Sequence, residues 1–245
     1  MANSSGFFPG VLRPLQLAGT GGRWRAALLW PLLMAVAVGA ETPNYLPTAL
    51  AKFTAEVPPQ WAYTLTTERE GQQTIERFDP TKPPTEQWTL LRTENRTPTP
   101  DDIKKYFKYK AGQAPGAMQA TFQKTDIETG SMKLVWEDSA RAEFACSFRE
   151  QSTYSDKMLG HLRLRLTVSK RNPHVEKSTL ELQAPYSPVL GVKMRELAVE
   201  MNFSPPEGDR PSLLQTSSSH FLGRIFFVPV EENLRYTYSD FVRLP

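Results

Sequence analysis

The sequence holds a single cysteine, Cys146, so no intramolecular disulfide can form and a hydrophobic core must hold the fold by itself. It has no Walker loop, no His-Glu-x-x-His, no Gly-x-Ser-x-Gly and no paired Cys-x-x-Cys, which removes the motifs with defined catalytic or cofactor mechanics. Its three histidines, His161, His174 and His220, stand on different strands or turns without zinc-ligand spacing, so neither a metal nor a cofactor is expected. Outside the first 40 residues, net charge is also missing. The first 40 residues carry Arg13, Arg23 and Arg25 and no acid, and the rest of the chain has 26 basic against 26 acidic side chains. A neutral chain makes no electrostatic case for duplex nucleic acid or an anionic membrane surface, both of which need clustered Lys and Arg.

No apolar run is long enough to span a bilayer. Ala26 to Val38 is 13 residues, about 20 Å of helix against a hydrocarbon core of roughly 30 Å. Arg23-Trp24-Arg25 before it and Val38-Gly39-Ala40 after it give the layout of a secretory signal peptide over residues 1–40, cleaved after Ala40. The stretch before Arg23 is long for such a leader, which leaves an organelle transit peptide or a start site placed too early as alternatives. No repeat or low-complexity linker divides residues 41–245, so they are expected to form one domain with one core.

What the chain does contain is alternation. Leu46, Leu50, Phe53 and Val57 recur at helical steps and predict a helix over 45–57, stopped by Pro58-Pro59. Trp61 to Glu68, Gln73 to Phe78 and Gln87 to Arg92 read as an antiparallel meander. Thr99-Pro100-Asp101-Asp102 reads as a helix start, with Thr99 as N-cap, and the helix runs over 99–110 with Ile103, Tyr106 and Phe107 as its apolar face. The pattern is β from Met132 to the C-terminus. Its clearest member is His161 to Lys170, with Leu162, Leu164, Leu166 and Val168 on one face and Arg163 and Arg165 on the other, wet and basic face. Val192 and Met194 are out of phase with Leu197, Val199, Met201 and Phe203, which predicts a β-bulge near Arg195-Glu196. Strands at Ser212 to Val228 and Leu234 to Val242 complete roughly nine or more. The fold class is therefore α+β, mostly antiparallel β, and so many long strands favour a curved barrel or half-barrel over a flat sheet.

Chemistry is sparse. Cys146 sits in the apolar row Ala142, Phe144, Cys146, Phe148 and reads as a buried, inert thiol rather than a nucleophile. Ser155, Asp156 and His161 are the residue types of acyl transfer, but their closeness in sequence reads as turn chemistry. Tyr236, Tyr238, Ser239 and Asp240 read as strand packing. No catalytic residue is assigned. Large apolar side chains dominate instead: Trp61, Tyr63, Leu65, Trp88, Leu90, Leu162, Leu164, Leu166, Val199 and Met201 on strands, and Ile103 and Phe107 on the second helix. They fill a solid core, or, in a half-open sheet capped by amphipathic helices, they line a dry cavity for an acyl chain.

The runs Phe78-Asp79-Pro80, Gln87-Trp88-Thr89-Leu90-Leu91 and Thr97-Pro98-Thr99-Pro100-Asp101, with Tyr106 downstream and Tyr236-Thr237-Tyr238-Ser239-Asp240-Phe241 at the end, resemble those of a group of uncharacterised secreted proteins of Gram-negative bacteria. The likeness spans Trp61 to Leu244. The order of elements is also similar to that of the periplasmic lipoprotein carriers of the Lol pathway. That resemblance implies an unclosed half-barrel whose helices cover a hydrophobic cavity, and a location in the periplasm. It transfers no individual binding residue. The expected function is non-enzymatic binding of a lipid or lipoprotein acyl chain by the twelve apolar residues above, in a protein not integral to the membrane. The alternative is an interaction or sensor module with a filled core and an envelope protein partner, working through Arg163 and Arg165.

Overall fold

Ten strands form one antiparallel sheet in a computed structural model that describes residues 43–112, 122–149 and 158–244. The predicted leader, Ser155 and Asp156 lie outside the described residues. The sheet and both helices belong to the unit Glu41–Pro245. In chain order the elements are α1 (Tyr45–Lys52), β1 (Trp61–Arg69), β2 (Gln72–Phe78), β3 (Trp88–Arg92) and α2 (Pro100–Gly112), then β4 (Ile127–Glu137), β5 (Arg141–Phe148), β6 (Leu162–Ser169), β7 (His174–Leu182), β8 (Val192–Phe203), β9 (Leu214–Ile225) and β10 (Val228–Arg243).

Neighbours in sequence are neighbours in space except once. The spatial order is β3-β2-β1-β10-β9-β8-β7-β6-β5-β4, so the last strand returns to pair with the first, Leu65 opposite Tyr238 and Thr67 opposite Tyr236. Strands β3 and β4, consecutive in the chain, become the two opposite edges, and the sheet is not closed. Edge strand β4 keeps an irregular register with β5, shifted between Glu128 and Lys133 and again between Leu134 and Trp136.

One face of the sheet carries the core. On β6 the alternation puts Leu162, Leu164, Leu166 and Val168 fully inside, opposite Ala142, Phe144 and Cys146 of β5 and Leu180 and Ser178 of β7. Helix α1 adds Leu46, Ala49 and Leu50 to this cluster and lies against β6 and β7. Pro47 is tolerated because it falls in the first turn, where its missing N–H has no partner to lose.

Two sequence expectations need correction. The helix predicted over 45–57 ends at Lys52, because Phe53 leaves helical geometry at φ −77° and ψ 132°. Its ring packs 5.3 Å from Phe203 and 6.1 Å from Phe122, and the hydroxyl of Thr54 bonds the carbonyl of Glu56, a local bond that competes with helix continuation. The single long strand predicted over 212–228 is a hairpin: β9 turns at Phe226-Phe227 and β10 begins at Val228, six residues before the strand start expected at Leu234. The predicted bulge in β8 is present, with the register shift falling between Met194 and Glu196.

Because Leu164 is enclosed on all sides by β5, β7 and α1, Leu164→Ala will cost about 2–5 kcal/mol of unfolding free energy. Chemical denaturation of the two proteins measures it, and a loss well below that range would mean the cluster is less tightly packed than described.

Candidate functional site

The twelve apolar candidates divide into two groups. Trp61, Leu65, Leu162, Leu164, Leu166 and Met201 are buried. Tyr63, Trp88, Leu90 and Val199 are only half-buried, and Ile103 and Phe107 remain 39% and 42% exposed. Apart from Val199, Tyr63 lies on β1, Trp88 and Leu90 on β3, and Ile103 and Phe107 on α2, whose Lys110 reaches the Trp88 ring.

That region is aromatic. Tyr63 of β1 lies 5.1 Å from Phe78, 5.9 Å from Trp88, 5.6 Å from Tyr238 and 6.1 Å from Phe241, ring centroid to centroid. Burial, then the neighbouring Tyr238 and the carboxylates of Glu76 and Glu56, push the Tyr63 phenol well above its ordinary value. These rings share a face because Tyr63 pairs with Phe78 and Phe78 with Trp88 in register.

One charged side chain interrupts this face. Glu76 stands in a registered row between Leu90 and Leu65 and is only 5% exposed. It is held by α2: the Tyr106 hydroxyl donates to its Oε1 at 2.6 Å, and Lys110 Nζ lies 2.8 Å from the same oxygen. Lys110 also sits 4.1 Å above the Trp88 ring, where a cation is attracted by the ring's negative face. Burial first, then the Glu76 charge and hydrogen bond, raise the Tyr106 phenol far out of its usual range, so Tyr106 is a permanent donor. Ile103, Tyr106, Phe107 and Lys110 fall on one helical stripe by their three- and four-residue spacing. Tyr106 and Lys110 fasten the helix to Glu76, while Ile103 and Phe107, on the same stripe, remain exposed. Sequence reasoning missed Glu76. Its signal was there, since it shares the alternation of Phe78, two residues on, while Ile75 takes the opposite face.

The start of α2 is built as predicted. Thr99 caps it: its hydroxyl accepts from Asp102 N–H at 3.3 Å, while Asp102 Oδ2 accepts from the Thr99 N–H at 2.8 Å and hydroxyl at 2.7 Å. Arg96 bonds the same oxygen at 2.7 Å. The Arg96 guanidinium first, and then Thr99, hold the Asp102 carboxyl well below the usual carboxylate range.

Of the acyl-transfer candidates only His161 is among the described residues. The His161 ring stacks on Tyr186 at 3.8 Å, and Tyr238 is buried against Tyr63. Cys146 is buried with its thiol 3.8 Å from the Leu164 carbonyl, and burial pushes its pKa up to about 12. The basic face at Arg163 and Arg165 is charge-compensated: Arg165 pairs with Glu143 at 3.0 Å, and Arg163 stands opposite Glu181 in the ladder. Among the described residues no cluster of three His, Cys, Asp or Glu side chains could hold a metal, and no helix is long and apolar enough to cross a membrane. An open cleft of about 730 Å³ crosses β7, β8, β9, β10 and β1. Its charged and amide lining, including Glu68, Glu181, Glu200, His220, Asn233 and Arg235, belongs to the alternation that points away from the core, and of the twelve apolar candidates only Val199 borders it. It is therefore not the dry chamber expected from the sequence.

No protein-family model, curated protein or solved structure matches the chain. The likeness to secreted proteins and lipoprotein carriers stands on the quoted sequence runs and the order of elements alone.

Two outcomes follow from the α2 attachment. Glu76→Leu suits the apolar row but strips Tyr106 and Lys110 of their partner; amide exchange over residues 101–110 will accelerate at least about tenfold while β5–β7 stays protected, the breaking of a buried pair being costly. Asp102, with its folded pKa depressed, contributes stability that is present above the ordinary carboxylate range and lost as pH falls through its lowered value. Helicity of α2 will therefore decline on acidification below that range, and Asp102→Asn will remove this dependence, as followed by NMR shifts of residues 100–110.

Proposed function

We propose that residues 41–245 act as a non-enzymatic periplasmic protein that holds the acyl chain of a lipid or lipoprotein between α2 and the aromatic part of the core face. In this reading the sheet curves as a half-barrel, the two helices cover it, and residues 1–40 are the export signal. The observation that carries it is the polar attachment of α2. A helix fastened through Glu76 by Tyr106 and Lys110, with Ile103 and Phe107 of the same stripe left exposed, offers apolar surface to a ligand. Burial at about 0.8 kcal/mol per CH₂ makes an acyl tail a sufficient ligand without a charged anchor.

The alternative, an envelope interaction module with a filled core, draws support from the sealed cluster of β5, β6, β7 and α1. The two readings separate by native mass spectrometry with organic extraction on the protein from an exporting host. A co-purifying lipid mass supports the carrier, and a clean apo mass that also fails to bind a fluorescent fatty acid supports the module. Phe107→Asp will weaken fluorescent fatty acid binding about tenfold or more, as burying a carboxylate against an alkyl chain demands, without lowering Tm. Unchanged binding in a folded Phe107→Asp protein would remove α2 from the site.

A further inference from the structure

The end of the sheet farthest along β8, β9 and β10 exposes a group of large apolar side chains. Leu190 is 98% and Phe227 92% exposed, and Val189, Ile225, Phe226 and Val228 are also exposed around them. They come from two connections, the loop before β8 and the β9–β10 hairpin, fastened side by side. The Phe226 N–H donates to the Gly191 carbonyl at 2.5 Å, and the Phe226 ring seats over Gly191 so closely that a Cβ there would lie 2.7 Å from it. A notch of about 470 Å³ between the loops is bordered by Leu190, Lys193, Arg224 and Phe226.

Turn chemistry makes the aromatics stand out. Ile225 pairs with Val228, so Phe226-Phe227 is a two-residue hairpin loop, a position that asks for Gly, Asn or Asp because φ must be positive. Phe226 nevertheless adopts φ 53°, a conformation that bulky side chains disfavour. The ring covers Gly191 on one side and leaves the residue 67% exposed.

Charge is layered behind the apolar end. One residue back from the row Val192–Ile225–Val228 comes the row Lys193–Arg224–Pro229, in which two exposed cations face each other directly across the ladder. Such a like-charge pair repels, and among the described residues neither cation has an acidic partner. The first acids, Glu196 and Glu231, lie two rows farther back, roughly 7 Å at 3.4 Å per residue. The zero net charge of residues 41–245 conceals this local order of apolar tip, cations and then acids.

The geometry points to a membrane-docking tip: Leu190, Phe226 and Phe227 insert into the interfacial region of a bilayer, and Lys193 and Arg224 meet the phosphates of anionic lipids. A projecting, two-loop apolar end suits a deformable bilayer, and the cation row sits where headgroups would be, one residue behind the insertion. This assignment stands on residues apart from the acyl-chain site and does not depend on it.

The test uses the full chain with Leu190→Cys labelled by an environment-sensitive fluorophore, since the native Cys146 is buried and its thiol strongly protonated. Phosphatidylcholine vesicles with and without phosphatidylglycerol are added, and Lys133→Cys, exposed on β4, carries the control label. A blue shift at position 190 only, dependent on phosphatidylglycerol, reduced by salt and lowered at least about tenfold in vesicle affinity by Phe227→Asp, is the expected result. No shift at 190, an equal shift at 133, a shift that survives Phe227→Asp, or loss of a protein partner without any vesicle binding would overturn it. Because both substituted side chains are outside the core, Tm is expected to match that of the parent. Lys193→Glu gives the independent electrostatic arm: its vesicle affinity must fall, and an unchanged affinity counts against the headgroup contact.

Discussion

The pairing of β1 with β10 is the constraint on which the rest of the molecule depends. Once the last strand returns to the first, the strands on either side of α2 are forced to opposite edges of a ten-stranded sheet. Laid flat, that sheet would be about 43 Å from edge strand to edge strand at the usual strand spacing. The chain between Arg92 and Ile127 joins these two edges, and α2 forms about 20 Å of rigid rod within it. A helix placed on the core face by topology, rather than drawn there by a matched apolar surface, needs something else to hold it. Glu76 with Tyr106 and Lys110 is that fastening.

The interior is consequently uneven. Where α1 meets β6 and β7, apolar groups meet apolar groups and nothing is left open. Where α2 meets β2 and β3, aromatic rings and one carboxylate share the surface, and contact is made through the long side chains of Tyr106 and Lys110. A ligand entering the first region would have to compete with close packing, whereas in the second Ile103 and Phe107 remain exposed.

Much of the architecture was legible because alternation is a direct consequence of strand geometry. The run Leu162 to Val168 announced its buried face, Thr99 to Asp102 announced a helix start, and the phase slip between Met194 and Leu197 announced a bulge. The parts that were not legible share a physical cause: long-range contacts overrode the local pattern. Phe53 keeps helical periodicity but is pulled extended by Phe203 and Phe122. The β9–β10 turn lacks the glycine or asparagine that would have marked it, so Phe226-Phe227 read as uninterrupted strand. The candidate site fared similarly. Its aromatic members were visible as apolar residues, but their exposure, and the carboxylate among them, were set by a helix arriving from elsewhere in the chain.

The broken register of β4 carries a consequence for the molecule in a crowded compartment. An open sheet has two free rims, each a row of unpaired peptide groups that another chain could extend. On β4 the two shifts, at Glu128 to Lys133 and at Leu134 to Trp136, interrupt that row in spite of the exposed Leu134, Val135 and Trp136, and β3 at the other rim is only five residues long. Neither rim presents an unbroken template, so the sheet can remain open without becoming the first layer of a fibril.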